Sequence, residues 1–243
     1  MMNKKLNRLR SIKELLLDET EDFMIANKPP FLSTLEDRKD PVDVLSLARD
    51  YISTSKVCHR LDKETSGALV IAKNDDFYKY MAGCFEHRDV TKLYHTLVEG
   101  RHEIDELVLE KPIYSSNSRS RIDFADGKPS ITMVKTIEIY KMHTLLACMP
   151  FTGRMHQIRV HLADAKMPIC GDDFYGGKPI FLSHFKRNFT IGKNREETPM
   201  MPRLSLHAAG LAFPLPSGKK YSIKAPYPKD FMATLRQLEK NKL

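Results

Sequence analysis

The run from His59 to Gly67, HRLDKETSG, places acidic, basic and hydroxyl side chains next to one another. The apolar run that begins at Ala68 follows at once and predicts a buried strand. Charged groups beside a buried strand cost free energy unless they have partners or a chemical task. This stretch is therefore interpreted either as a solvated turn before the strand or as a loop that carries a reactive group.

Two kinds of site can be weighed for this loop from the residue types alone. His59 and Asp62 are both metal-ligand types, but no third ligand follows at a suitable spacing, which argues against a metal centre. Asp62 and Glu64 would make an acid–base pair for glycoside hydrolysis, but they are only two residues apart and the chain has no Trp to hold a sugar ring. A carboxylate nucleophile at a glycosidic bond remains chemically reasonable.

A second candidate is Lys92-Leu93-Tyr94, which lies in a run from Thr91 to Glu99 that alternates as a strand does and ends at Gly100. The face of an aromatic ring can stack on a nucleobase, and the tyrosine hydroxyl can relay a proton. A tyrosine in a strand also has an ordinary packing role. Residue type alone leaves both interpretations of Tyr94 open.

The third stretch runs from Phe151 to His161 and reads FTGRMHQIRVH. The residues from Pro150 to Gly153 break the preceding strand, and a helix is predicted from Arg154 to Ala165, with Met155, Ile158, Leu162 and Ala165 on one side. Gln157 and His161 are interpreted either as functional or as structural residues.

Local patterns also predict the elements that would position these residues. Strands are expected over 22–28, 68–73, 91–99, 131–140, 142–149, 204–213 and 220–224, with the pair on either side of Lys141 antiparallel. A helix is expected with Asp40 as its N-cap, Pro41 at its first position and Asp43 in its first turn, running to about Ile52. A final helix is expected to begin near Pro228.

The helix expected after Asn74 has the clearest pattern. Its apolar residues recur at the spacing of one buried face, namely Phe77, Tyr80, Met81, Cys84 and Phe85. Residues 105–130 are expected to hold one short strand, a polar loop over 115–121 and a turn at 127–129. Strands and helices do not alternate regularly, which argues against a doubly wound parallel sheet.

Composition bounds the class of protein. The chain has 243 residues, a net charge of +8 and 42% hydrophobic residues, enough for a sizeable core. No apolar run approaches the length of a membrane span, and the first residues lack the apolar region of a secretory signal, so a cytoplasmic protein is expected. The four cysteines form no C-x-x-C pair, which argues against a zinc or redox site. The positive charge points weakly to a polyanionic partner.

Taken together, the three stretches resemble the sequence motifs of the RluA-like pseudouridine synthases. HRLDKETSG is similar to the family's His-Arg-Leu-Asp-x-x-Thr-Ser-Gly, and FTGRMHQIRVH is similar to Thr-Gly-Arg-Thr-His-Gln-Ile-Arg-Val-His, with Met155 where the family has Thr or Ser. Gly171-Asp172 and Leu206-His207-Ala208 match weaker patterns. The resemblance covers roughly residues 22–232 and implies an α+β fold: a mixed, largely antiparallel central sheet flanked by helices, with a basic cleft.

The resemblance also implies roles for individual residues. It makes Asp62 the catalytic nucleophile, places Tyr94 against the target uracil, and makes Arg159 the partner that keeps the nucleophilic carboxylate ionised by lowering its pKa. Further residues are expected to bind substrate: His59, Arg60, Leu61, Thr65, Lys92, Arg154, His156, Gln157 and Ile158.

The function implied is that of an isomerase that converts specific uridines in structured RNA, either rRNA or tRNA, to pseudouridine after flipping the base out of its stack. Asp62 would attack C1′ or the base, or first take a ribose proton. The reaction is redox-neutral, so no cofactor and no metal are expected, and neither is a membrane partner; the protein is expected to be monomeric. The alternative is a catalytically silent RNA-binding protein on the same fold.

Two segments have no assigned role within the resemblance. Residues 1–20 are expected to form a basic N-terminal extension, either a short helix, an arm on RNA or a frayed terminus, ahead of a catalytic domain over 21–243 without the S4 domain of some relatives. The basic segment 178–203 is expected either to contact RNA over the cleft or to pack through Phe181, Phe185 and Phe189, part of it as a helix.

Overall fold

A computed structural model describes residue 9 and residues 11–37, 42–116, 118–186, 189–190 and 196–242. Its strands are β1 (Leu16–Glu19), β2 (Phe23–Lys28), β3 (Lys56–Val57), β4 (Ser66–Ala72), β5 (Thr91–Glu99), β6 (Leu107–Glu110), β7 (Ile113–Ser116), β8 (Arg119–Ile122), β9 (Ile131–Ile139), β10 (His143–Pro150), β11 (Leu206–Pro214) and β12 (Lys220–Lys224). Its α-helices are α1 (Val44–Tyr51), α2 (Asp75–Glu86), α3 (Gln157–Asp164) and α4 (Lys229–Lys240). The predicted α+β class with mixed, largely antiparallel strand pairing is confirmed.

The chain divides into two compact units, Met1–Lys92 with His207–Pro226, and Leu93–Leu206 with Tyr227–Leu243. In the first unit β4 is the central strand. It pairs with β2 along its length, with β3 at its end, and in parallel with β11 at its start, while β1 extends the sheet from β2 and β12 from β11. Every residue of β4 is buried, as its apolar run predicts.

The last residue of the polar stretch, Gly67, occupies a position that has no room for a side chain. Its φ is +116°, and a Cβ at this position would lie 2.2 Å from the carbonyl oxygen of Ala208, the residue opposite it on β11. A side chain cannot fit where two backbones approach so closely. The polar loop is therefore joined directly to the first pairing of β4 with β11.

The helices α1 and α2 of the first unit each have an N-cap residue whose side chain accepts a hydrogen bond from the first turn. In α2 the Asn74 side chain accepts a hydrogen bond from Phe77 N–H, and Phe77, Met81 and Cys84 are buried against β2 and β4, so this helix is confirmed. In α1 the cap is Asp43, whose carboxylate accepts from Ser46 N–H at 2.9 Å. The prediction that Asp43 lies in the first turn is wrong, because this bond holds Asp43 just outside the helix; Asp40 and Pro41 lie outside the described residues.

The second unit is built on an antiparallel sheet in the order β5–β10–β9–β6. Alternate residues of these strands supply two separate cores. Val98 and Leu146 pack with Ile158 and Leu162 of α3, whereas Leu97 and Leu145 pack with Phe231 and Leu238 of α4. The period of two in β5 and β10 therefore allows one sheet to bury a helix on each face.

Two predicted boundaries in this unit are wrong. The expected polar loop over 115–121 is instead the β7–β8 hairpin, with Ser115 opposite Ser120. The helix α3 begins at Gln157 rather than Arg154, because His156 has a φ of +54° and its left-handed backbone cannot continue a helix in the N-terminal direction.

The two segments without an assigned role are partly described. Residues Ile12–Leu15 form a 3₁₀ turn and Leu16–Glu19 form β1, so the sheet begins inside the expected extension; the division of the chain at residue 20 stays a prediction. In the segment 178–203 the described helical part is the single 3₁₀ turn Leu182–His184, and Phe185 is buried in the core under α4. Residues 1–8, Arg187, Lys193 and Arg195 lie outside the described residues.

Candidate active site

The side chain of Thr34 fixes the polar loop before β4 by two hydrogen bonds on the N-terminal side of Asp62. Thr34 Oγ1 donates a hydrogen bond to Leu61 O at 2.9 Å and accepts one from Leu61 N–H at 3.2 Å. Both residues are buried. The two bonds fix both polar groups of the residue that immediately precedes Asp62, so the Asp62 backbone starts from a held position.

A buried lysine holds the other side of the same loop. Lys28 lies at the end of β2 with its side chain fully buried, and its Nζ donates to Leu32 O at 2.8 Å and to Lys63 O at 3.1 Å. Lys63 O also accepts from Phe31 N–H at 2.7 Å, and Thr65 N–H donates to Asp62 O at 3.0 Å. Asp62 therefore sits between two fixed backbone segments, and its carboxylate extends from a preorganised turn.

His59 supports the loop from within the first unit. Its Nε2 accepts a hydrogen bond from Val70 N–H at 3.3 Å, and its ring lies 5.2 Å from that of Phe85. Burial and the nearby Lys92 ammonium lower the pKa of His59 to about 3, so its ring is neutral at physiological pH. Burial also lowers the pKa of Lys92 to about 8. A phosphate brought next to Lys92 would favour its charged form.

The remaining loop residues differ in their access to solvent. Arg60 is exposed, whereas Leu61 and Thr65 are buried. The Thr65 hydroxyl has no hydrogen-bond partner among the residues that the structure describes. In this loop, therefore, Arg60 presents a side chain to solvent, while Leu61 and Thr65 shape the loop from inside.

In the second unit Tyr94 lies on β5 opposite Cys148 of β10. Its side chain is half-buried and packs at the margin of the core that includes Val98 and Ile158. One part of the ring is thus held by the sheet and another part is accessible. This is a suitable arrangement for a ring that stacks on a ligand from a rigid strand.

Arg159 is held in a fixed orientation within this unit. It lies on α3, is buried, and forms a two-point ion pair with Asp172, with Nε–Oδ2 and Nη2–Oδ1 distances of 2.8 Å each. Its guanidinium carbon also lies 5.0 Å from the centre of the Tyr175 ring. A bidentate pair of this kind fixes the plane of the guanidinium, so Asp172 sets the direction in which Arg159 acts.

The residues before Arg159 fall into exposed and internal groups. Arg154 is exposed, and His156 Nδ1 is joined by a hydrogen bond of 2.9 Å to the Tyr175 hydroxyl. Gln157 is buried; its Oε1 accepts from Thr152 Oγ1 and its Nε2 donates to Ile131 O. Ile158 is part of the core. These contacts favour a structural role for Gln157.

The contacts of His161 also favour a structural role over a functional one. It is buried, with its Nδ1 2.9 Å from Thr132 Oγ1 and its Nε2 3.0 Å from Lys111 O, so both ring nitrogens have partners within the protein. Within the described ranges no group of three His, Cys, Asp or Glu side chains could hold a metal ion.

Sequence patterns gave little weight to several residues that the structure places around these groups. Asp172 was visible only as part of a weak Gly-Asp pattern, and Thr34 carried no signal at all. Tyr175 links elements far apart in sequence, because its hydroxyl also accepts from Ser120 N–H at 3.0 Å. Tyr175 lies in the glycine-bounded turn from Gly171 to Gly177, in which its own N–H and that of Gly177 donate to Asp172 O.

Comparison with known proteins places these features in a family. The family model described as RNA pseudouridylate synthase matches residues 22–164. The ribosomal large subunit pseudouridine synthase C of Escherichia coli strain K12 is 31% identical over 241 residues, covering 96% of this chain and 72% of that protein. The ribosomal large subunit pseudouridine synthase D of Buchnera aphidicola is 32% identical over 230 residues, covering 90% of this chain and 72% of that protein.

Solved structures agree with the fold. The human RNA pseudouridylate synthase domain containing 4 covers 94% of this chain and 94% of its own chain, with a TM-score of 0.74 and 23% identity, a likeness that concerns the fold. The human RNA pseudouridylate synthase domain containing 1 gives a TM-score of 0.68 and 25% identity over 91% of this chain and 86% of its own. Among the described residues no helix has the length and apolar character needed to cross a membrane.

Proposed function

The chain belongs to the RNA pseudouridylate synthase family, and from this premise we propose that Asp62 is the nucleophile with which it isomerises uridine to pseudouridine in large-subunit ribosomal RNA. The observation that carries the proposal is the fixed turn around Asp62. Thr34 and Lys28 form hydrogen bonds with the backbone on its two sides, so the Asp62 side chain extends from a backbone in a defined position.

The chemistry demands one well-placed carboxylate. The bond between N1 of uracil and C1′ of the ribose breaks, the detached ring turns, and a bond forms between C5 and C1′; C5 then loses its proton and N1 ends up protonated, so atoms and electrons balance. Asp62 attacks C1′ or the base, or first takes a ribose proton. Each of these routes uses the same carboxylate in its ionised form.

Tyr94 and Arg159 have separate proposed roles. A half-buried ring on a rigid strand supports Tyr94 as the surface against which the flipped uracil lies, with its hydroxyl near the proton that must leave C5. The role of Arg159 as the electrostatic partner of the nucleophile comes from the resemblance and stays a prediction. What supports it is that Asp172 holds the guanidinium in one plane.

The expected substrate contacts follow the exposure of each side chain. Arg60 and Arg154 are exposed and are proposed to contact phosphates, and Lys92 and His156 are proposed to lie beside the bound RNA. The internal residues are proposed to act indirectly, by shaping the loop before β4 and the start of α3. They are His59, Leu61, Thr65, Gln157 and Ile158. Binding of ribosomal RNA rather than tRNA is supported by the names of the relatives. Cytoplasmic location and a monomeric state stay predictions.

The test replaces Asp62 with Asn, which keeps the size of the side chain and removes the charge. Asp62→Asn is expected to lower the rate of pseudouridine formation by orders of magnitude while RNA affinity stays near that of the wild type. Formation is measured by mapping new pseudouridines in ribosomal RNA and tRNA from cells that lack the enzyme. The matched control is Glu64→Gln in the same loop, which is expected to stay active.

The outcomes separate the two candidate functions. Turnover by Asp62→Asn at close to the wild-type rate would contradict the nucleophile assignment. Pseudouridine found only in tRNA would move the proposed substrate from ribosomal RNA to tRNA. A wild-type protein that binds both RNAs and modifies neither would support the alternative, a catalytically silent RNA-binding protein on this fold.

A further inference from the structure

Phe174 is an exposed aromatic side chain that lies near two arginine guanidinium groups. It lies at the tip of the glycine-bounded turn, and 51% of its surface is accessible. The guanidinium carbons of Arg119 and Arg159 lie 5.3 and 5.7 Å from the centre of its ring. Leaving so much of a phenyl ring in water is unfavourable, and two guanidinium groups around it would not serve ordinary core packing.

The turn that presents Phe174 is rigid. Gly177 N–H and Tyr175 N–H both donate to Asp172 O, at 2.9 and 3.1 Å. A Cβ on Gly177 would lie 1.7 Å from Ile169 O, so the turn is wound against the neighbouring backbone. Asp172 is buried in its ion pair with Arg159. The Phe174 ring is thus held out from a fixed base rather than carried on a loose loop.

Arg119 reaches Phe174 from the β7–β8 hairpin, which is itself anchored. Ser120, next to Arg119, donates from its hydroxyl to Met155 O at 2.8 Å and from its N–H to the Tyr175 hydroxyl at 3.0 Å. The Arg119 side chain is exposed and has no carboxylate partner among the described residues. It can therefore leave the ring for a phosphate, whereas Arg159 is held by Asp172.

We propose that Phe174 is a stacking platform for an unpaired base of the RNA substrate other than the target uridine, and that Arg119 binds the phosphate of that nucleotide. An aromatic face accepts any base, and an adjacent arginine neutralises the backbone charge that comes with it. The proposed ligand of this site is single-stranded RNA, because each of its nucleotides carries both a flat base that can stack and a phosphate. The proposal rests on RNA being the substrate of the proposed function, but it assigns a second base site.

The experiment measures binding of the full chain to a fluorescein-labelled twelve-nucleotide oligouridylate and to the same strand made entirely of abasic ribose. Phe174→Ala is expected to weaken binding of the oligouridylate by about tenfold and to leave binding of the abasic strand unchanged, since only a base can stack. Phe174→Trp is expected to retain the preference for bases. Phe174→Leu, which keeps an apolar side chain without a π-face, is expected to behave like Phe174→Ala.

The control is Phe124→Ala. Phe124 is 78% exposed, more than Phe174, but it follows Asp123 in a turn that also contains Asp126. Among the described residues no cation lies over the Phe124 ring, so this exposed ring should contribute nothing to RNA binding. Arg119→Ala should weaken both strands alike and flatten the dependence of log K on log salt by about 0.7, the value for one phosphate of a single strand.

Three results would overturn the proposal. They are a wild-type protein with no preference for the strand that has bases, a Phe174→Ala variant whose preference for that strand is as large as in the wild type, and a Phe174→Ala variant that binds both strands equally more weakly. None of these measurements needs turnover, so they are independent of the Asp62→Asn test. A base-dependent loss in Phe174→Ala together with an inactive wild type would preserve the platform and reject the proposed reaction.

Discussion

The hydroxyl of Thr34 is the smallest group on which the position of Asp62 depends. It bonds both the N–H and the carbonyl of Leu61, and no other hydrogen bond to these two groups is seen among the described residues. Val has nearly the same shape as Thr but cannot make these bonds. The change from Thr34 to Val therefore separates the packing of this side chain from its hydrogen bonding.

Thr34→Val is expected to lower the free energy of unfolding by about 1–3 kcal/mol, because two buried backbone groups lose their partner. It is also expected to lower kcat about ten- to a hundredfold with little change in RNA affinity, since a small displacement of a reacting group is costly. Chemical denaturation and single-turnover kinetics measure the two effects.

A matched control exists within the same unit. Thr20 Oγ1 makes the same pair of bonds to Phe23, donating to its carbonyl at 3.2 Å and accepting from its N–H at 3.1 Å, in the β1–β2 turn. Thr20→Val should cost stability without a selective loss of kcat. Equal kcat for both variants would mean that Thr34 supports the fold and not the position of Asp62.

Arg159 and Asp172 show what single residues of the sequence could and could not reveal. The motif containing Arg159 predicted an arginine with a special role, and the structure gives it a fixed plane. The partner that fixes this plane is 13 residues further along the chain, and its two-point ion pair depends on a turn whose geometry no local pattern specifies. Charge pairs across loops are set by the fold, so they are largely hidden from periodicity.

The elements that the sequence predicted best are those whose apolar residues recur with a regular period. The strands β5 and β9 and the helix α2 have such patterns, and each lies where expected. The β7–β8 hairpin was missed because most of its residues are polar. Both faces of this short hairpin are largely exposed, so its sequence does not alternate between apolar and polar residues. Its stability comes from Ser120, whose partners Met155 and Tyr175 lie more than thirty residues away.

The start of α3 was misplaced for a different reason. Arg154 and Met155 are good helix formers, so local propensity favours an earlier start. The hydrogen bond from Arg154 N–H to Gln157 Oε1 at 3.0 Å instead closes a turn ahead of the helix, and His156 takes a left-handed conformation. The Gln157 side chain that closes this turn also bonds β9 through Ile131, so the boundary depends on tertiary contacts.

Hydrogen bonds join the two ends of the segment 178–203. Met200 N–H donates to Ile180 O at 2.9 Å, and Ser183 N–H donates to Glu197 Oε1 at 2.9 Å. Arg203, at its end, is buried in a bidentate ion pair with Asp230 at the start of α4. Phe185 is buried, which accounts for the packing alternative in part, while Lys186 beside it is exposed.

Replacing Lys186 and Arg187 together by Ala is expected to weaken RNA binding and to flatten the plot of log K against log salt. The slope should fall by about 1.4–1.8 if both residues contact phosphates, because each contact contributes about 0.7–0.9. Thermal stability should barely change. The control is Lys219→Ala with Lys220→Ala, an exposed pair at the start of β12. Wild-type affinity and slope in the first double variant would leave packing as the only role of the segment.

Three histidines spread over the molecule share one property that affects its stability as a whole. They are His59, His143 and His161, and burial is the main cause that lowers the pKa of each below the usual value for histidine. His143 Nδ1 is buried and has no hydrogen-bond partner among the described residues. The folded protein therefore resists protonation at all three positions, whereas the unfolded chain takes up these protons near pH 6.5.

Because the unfolded chain binds more protons below pH 6.5, the free energy of unfolding is expected to fall as the pH is lowered from there toward the folded-state values, about 3 for His59. Each histidine contributes a slope of about 1.4 kcal/mol per pH unit where only the unfolded form is protonated. His143→Gln should therefore make the fall in stability below pH 6.5 less steep than in the wild type, because burial lowers the pKa of His143 in the folded protein. Urea denaturation at half-unit pH steps measures the difference. Parallel curves for His143→Gln and the wild type would show that His143 is protonated as easily in the folded protein as in the unfolded chain.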